Sequence, residues 1–184
     1  QISTAAAMGA KGLSWFYPDM HAGPHDNYRN APINALGERS ETFGWLSTEM
    51  RLFQRQFGAA MMGLRWESAC CAGRAYGGIP SLASVSNGAV RAVSSRDGAL
   101  VGFFKDANGV PHVALVALAR TVSDGLHVTF APGVEPETLA WSGWKRLSTT
   151  FDPLDTEKRG PRTVFLHAAP GQLFLVRLAA PRSR

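Results

Sequence analysis

The sequence predicts an α/β segment followed by an all-β one: the final strand and helix of a TIM barrel, then an antiparallel β-sandwich. Two observations carry this. Residues 1–62 read as a helix end, a short apolar strand, a long polar loop and a second helix, whereas beyond Ser81 the chain breaks into short alternating runs parted by turn residues. A complete barrel takes about 250 residues, so a chain of 184 can hold only its last part. The expected organisation is residues 1–62 as the C-terminal portion of a (β/α)8 barrel, 63–81 as a linker and 82–184 as the sandwich.

Gln1 to Ala10 is rich in alanine and reads as a helix end, with Gly9 and Gly12 as stop signals. Leu13 to Tyr17 is apolar or aromatic at nearly every position, which suits a parallel strand covered on both faces. A polar loop follows from Pro18 to Arg39. Ser40 reads as an N-cap, with Glu41 in the first turn. Phe43, Leu46, Met50, Phe53 and Phe57 then recur at helical spacing as one apolar stripe. In the second half, Ala99 to Lys105 and Val110 to Ala119 flank Asp106-Ala107-Asn108-Gly109. Asn108-Gly109 is expected to supply the positive φ angles of a hairpin turn. Leu126, Val128 and Phe130 alternate with His127 and Thr129 as a half-buried strand, and Thr163 to His167 and Gln172 to Leu178 are joined across Pro170-Gly171.

Composition narrows the function classes. With 45% hydrophobic and 18% charged residues, the chain has neither the charge excess nor the apolar poverty of a disordered protein. The net charge of +5 comes from scattered Lys and Arg with no basic run interleaved with aromatics, so it reads as solubility and not as a nucleic-acid surface. The longest apolar runs, Val113 to Ala119 and Leu173 to Val176, fall far short of the roughly 20 residues of a membrane-spanning helix. Gln1 is not Met and no intact signal peptide follows, so the chain reads as processed or truncated. The localisation is left open between compartments, with a soluble, secreted or periplasmic, bacterial-type protein favoured. Cys70 and Cys71 are adjacent, form no metal pattern and read as two free thiols.

Two segments carry a family resemblance. Ala6-Ala7-Met8-Gly9-Ala10-Lys11-Gly12-Leu13-Ser14-Trp15-Phe16-Tyr17 resembles the seventh helix and eighth strand of barrel glycoside hydrolases of the clan that holds the β-galactosidases and cellulase-like enzymes. Asn30-Ala31-Pro32-Ile33-Asn34-Ala35-Leu36-Gly37-Glu38-Arg39-Ser40-Glu41-Thr42-Phe43 resembles the segment those enzymes carry before their last helix. The resemblance covers about the first sixty residues. It implies a substrate platform at Trp15, because a tryptophan at the end of strand eight can lie flat under a sugar ring at the barrel mouth.

The loop after Trp15 gathers hydrogen-bonding groups suited to sugar hydroxyls, and Trp15, Tyr17, Asp19, His25 and Asn27 form the candidate substrate-binding set. The bland alternative is a solvated connection whose Asp and Asn residues serve turns. His21 and His25 do not make a metal site, since Gly23 and Pro24 between them exclude a helical pair and no third ligand is evident; neither metal nor cofactor is expected. Trp45, Trp66, Trp141 and Trp144 read as packing residues. The resemblance places the two catalytic glutamates on strands four and seven, both before Gln1, so no catalytic residue is expected in this chain.

The function expected is thus the C-terminal portion or subunit of a glycoside hydrolase acting on O-glycosidic bonds. It would complete the barrel, contribute sugar-binding residues and pair with the N-terminal barrel portion as a separate chain through Leu13 to Tyr17 and the Phe43 to Phe57 stripe. The alternatives are a stand-alone carbohydrate-binding module with Trp141 and Trp144 as its platform, and a structural subunit without a ligand.

Overall fold

The computed structural model describes residues 1–14, 31–34, 36–74, 78–82 and 88–179. The chain divides into two compact units. One is formed by Gln1–Lys11 with Ala60–Arg184, the other by Gly12–Ala59.

The larger unit contains two antiparallel sheets. Its strands are β1 (Arg65–Ala72), β2 (Val90–Ser94), β3 (Ala99–Lys105), β4 (Pro111–Ala117), β5 (Asp124–Phe130), β6 (Glu135–Ala140), β7 (Gly143–Arg146), β8 (Thr150–Phe151), β9 (Arg162–Ala168) and β10 (Leu173–Ala179). The six-stranded sheet runs β1-β3-β4-β10-β6-β7 and the four-stranded sheet β2-β5-β9-β8. Alternation decides which side chains lie between them. Val101, Phe103, Val113, Leu115 and Val176 of the first sheet meet Val93, Leu126, Val128, Phe130, Val164 and Leu166 of the second in one buried cluster.

The β3–β4 hairpin forms in the register Ala99↔Ala117 to Lys105↔Pro111. Its turn chemistry differs from the expectation. Asn108 does not have positive φ; among the turn residues only Gly109 does, at 78°. Asp106 does the remaining work, its Oδ1 accepting from the amides of Asn108 and Val110, both at 2.9 Å. Pro170-Gly171 also makes a turn, with Gly171 at φ 70° and the Gln172 amide donating to Ala169 O. This turn carries the chain from β9 in one sheet to β10 in the other, so the two runs it joins do not pair with each other.

The fold class expected for the first half is overturned. The described structure is all-β in character, and no part of a β/α barrel is found among the described residues. Helix α1 (Ile2–Ala7), read as a barrel helix, packs on β3 and β4 of the six-stranded sheet. Gly102 makes that seat: a Cβ built there would stand 2.1 Å from the Ala7 carbonyl oxygen. Lys11 then reaches back, its ammonium donating to the carbonyls of Met61 and Leu64 at the end of α3 (Ala59–Gly63), where helix carbonyls lack partners. The expected barrel strand is not formed at Leu13 and Ser14, and its remaining residues 15–17 lie outside the described residues.

The segment read as a linker, 63–81, contains β1, which pairs with β3 from Arg65↔Lys105 to Ala72↔Ala99. It escaped sequence reading because Ala69, Cys70, Cys71 and Ala72 are small and buried on both faces, which leaves no alternation to read. The register slips at Glu67, a bulge whose carboxylate pairs with Lys105 at 2.9 Å.

The smaller unit is built around helix α2 (Glu41–Phe53), continued by a π-helical turn over Gln54–Gly58. Ser40 stands at the N-cap, but its Oγ donates to Ala31 O and does not cap the helix. The expected stripe is present only in part. Phe43, Leu46, Met50 and Phe53 are half-buried and Phe57 is buried, and no residue of α2 itself is fully buried. Trp45 and Leu52, two turns apart on a different face, are exposed.

Candidate functional site

The predicted sugar-binding residues Trp15, Tyr17, Asp19, His25 and Asn27 all lie outside the described residues. Next to them in the chain, the described part of the family-like segment uses its polar groups on itself. Asn34 Oδ1 accepts from the Leu36 and Glu38 amides and Asn34 Nδ2 donates to Glu38 at 3.0 Å, so both side chains serve one turn.

Two of the four tryptophans read as packing residues, Trp45 and Trp141, depart from that assignment, whereas Trp66 lies against Gly9. Trp45 and Trp141 are each 62% exposed and Trp66 is 41% exposed. Trp144 is half-buried, with the Arg177 guanidinium over its ring at 4.8 Å. It belongs to a polar cluster on the face of the six-stranded sheet turned away from the core. There Arg177 of β10 pairs with Glu137 of β6 through two hydrogen bonds to Oε2, and buried His112 of β4 meets the Trp144 ring edge-on at 5.4 Å. The register explains the gathering, since His112, Arg177 and Glu137 stand opposite one another across three strands. His112 Nδ1 lies 2.9 Å from Val110 O, which fixes the Nδ1–H tautomer. Burial, aided by the Arg177 charge, holds its pKa below the ordinary value against the opposing pull of Val110 O and Asp106. Arg177 and Trp144 thus tie β4, β6, β7 and β10 together in one structural cluster.

An open site lies at the end of the same unit, where three loops meet. A cleft of about 240 Å3 is lined by Arg74, Arg96, Asp97, Leu118, Arg120 and Thr121. Arg74 follows β1, Arg96 and Asp97 lie between β2 and β3, and Leu118, Arg120 and Thr121 follow β4. Two glycines draw these loops together. Gly73 and Gly98 both have positive φ, and their backbones touch so closely that a Cβ on Gly98 would lie 3.1 Å from Ala72 O and from Arg74 N. The Leu118 amide donates to Gly98 O at 3.1 Å, tying the third loop to the second. Asp124 anchors the assembly from below by accepting from the amides of Asp97 and Gly125. Burial tends to raise its pKa, but these amides, that of Arg96 and the Arg96 charge prevail and hold the carboxyl below the usual range.

Charge in the cleft is uneven. Asp97 pairs with Arg96 at 3.1 Å, whereas Arg74 and Arg120 have no carboxylate partner among the described residues. Sequence reading missed these three residues because they are 22 and 24 positions apart and read as scattered surface charge. The available signal was their setting, Gly73-Arg74 and Arg96-Asp97-Gly98, where glycines mark tight turns. Among the described residues no group of His, Cys, Asp and Glu is arranged to hold a metal ion.

Comparison of the chain with protein-family models, curated proteins and solved structures finds no match in any of the three.

Proposed function

We propose that this chain is a non-catalytic, sugar-binding portion of a glycoside hydrolase and acts with a separate polypeptide that supplies the acid and the nucleophile. The observation that carries the non-catalytic part is the state of the carboxylates. Hydrolysis of a glycosidic bond needs two carboxyl groups facing the scissile oxygen, about 5 Å apart or about 6.5–9.5 Å apart according to stereochemistry. In the larger unit each described carboxylate is already engaged. Glu67, Asp97, Glu135, Glu137 and Glu157 pair with Lys or Arg, and Asp106, Asp124, Asp152 and Asp155 accept backbone amides in turns. Such contacts tie each of these carboxylates to a turn or to a neighbouring basic side chain.

The sugar-binding part rests on the resemblance of residues 6–17 and 30–43 to glycoside hydrolases, with Trp15 as the stacking platform and Tyr17, Asp19, His25 and Asn27 as hydroxyl partners. The partner is favoured by α2, which exposes Trp45 and Leu52 while its other apolar face is half-buried, as a helix does when more than one of its faces is to be covered. The stand-alone binding reading has one observation in its favour, exposed Trp141, but a platform shared with Trp144 is opposed by the Arg177 guanidinium on that ring.

The test is a panel of aryl glycosides and neutral oligosaccharides. The purified chain should hydrolyse none and should bind at least one oligosaccharide. Trp15→Ala should lose that binding at unchanged melting temperature. Turnover by the pure chain that disappears in Asp19→Asn or Asp26→Asn would show that it carries its own catalytic carboxylates.

A further inference from the structure

We infer that the cleft between Arg74, Arg96 and Arg120 binds the acidic group of a charged sugar, a carboxylate or a sulfate. This deepens the proposed sugar-binding function and rests on it. Three arginines from three loops line one small cleft, and the one carboxylate among its described lining residues, Asp97, is paired with Arg96. Gathering like charges is unfavourable, and here the backbone imposes it through the contact of Gly73 with Gly98, two positions that only glycine holds without strain. What offsets that repulsion is an anion. The guanidinium of Arg offers paired N–H donors whose spacing matches two oxygens of a carboxylate or sulfate.

The shape selects among anions. Leu118 gives the cleft one apolar surface and Thr121 a hydroxyl, the pairing suited to the mixed C–H and O–H surface of a sugar. Three cations around one cleft do not track a phosphate backbone, as a groove for single-stranded nucleic acid does. Gly98 O is held by the Leu118 amide and the Asp97 amide by Asp124, which ties the loops bearing Arg96 and Arg120 to each other and to β5 before a ligand arrives.

Calorimetric titration of the intact chain with four probes tests this: an oligogalacturonate, a chondroitin sulfate oligosaccharide, a neutral galacto-oligosaccharide and sodium sulfate. At least one of the two acidic oligosaccharides should bind at least tenfold more tightly than the neutral one. Affinity should fall as salt rises. Arg74→Gln with Arg120→Gln should weaken acidic binding about tenfold or more while leaving any neutral binding unchanged. Arg159→Gln, an exposed arginine elsewhere, serves as the charge control and should have no effect. Equal affinity for acidic and neutral sugars, with neutral binding still dependent on Trp15, would overturn the cleft and leave the sugar-binding function standing. Sodium sulfate bound through Arg74 and Arg120 with no oligosaccharide bound at all would overturn both. Acidic binding that survives the double variant would overturn the cleft, whatever the fold of other variants.

Discussion

Gly102→Ala tests the seating of α1 on the sheet. The new Cβ would stand 2.1 Å from the Ala7 carbonyl oxygen, 2.9 Å from its carbon and 3.0 Å from a ring carbon of Phe104. An ordinary C···O contact is about 3.3 Å, so the end of α1 must retreat by about 1.2 Å. A gap of that size forfeits about half or more of the dispersion energy between facing atoms, here those of Ala6 and Ala7 against β3 and β4. Overpacking of this kind costs about 1–3 kcal/mol, partly offset by about 0.4–1 kcal/mol because alanine restricts the unfolded chain. Taken at their centres the two effects leave a net loss of about 1.3 kcal/mol, which for a chain of this size lowers Tm by about 3–5 °C. Urea and thermal unfolding measure it. Gly44→Ala is the control, since Gly44 lies within α2 with open space beside it, and there the same change should be neutral or stabilise by up to about 1 kcal/mol. A Gly102→Ala variant that melts at or above the wild-type temperature would refute the close approach of α1 to β3.

Two further outcomes follow from buried titratable groups. His112 has its folded pKa below the ordinary value of about 6.5, so the unfolded chain takes up its proton first; stability should be flat above about pH 6.5, fall as pH drops from there toward the folded pKa, and fall less in His112→Gln, as urea unfolding between pH 5 and 8 would register. Burial pushes the Cys70 thiol up to about 11, with the neighbouring Cys71 adding to the rise, so Cys70 should resist an aromatic disulfide reagent at pH 8 in the folded state and react at once in denaturant; rapid labelling of the native protein would contradict its place in the core.

Features whose cause is local can be read from the residues alone. Asp106 to Gly109 turns because a carboxylate and a glycine sit at the right offsets, Pro170-Gly171 turns because one residue presets φ and the other accepts a positive one, and Leu126, Val128 and Phe130 face the core because they alternate. The helix at Glu41–Phe53 was legible from its period for the same reason. What each of these packs against depends on contacts between residues far apart in the chain. Helical spacing at residues 2–7 cannot say that α1 rests on strands about a hundred positions later, so the sequence suggested a barrel where the sheet supplied another partner. The buried strand Arg65–Ala72 has no period because both its faces are covered, and burial on two sides erases the alternation that sequence reading relies on. Arg74, Arg96 and Arg120 share a cleft because two glycine backbones touch, a contact between loops that no local pattern encodes.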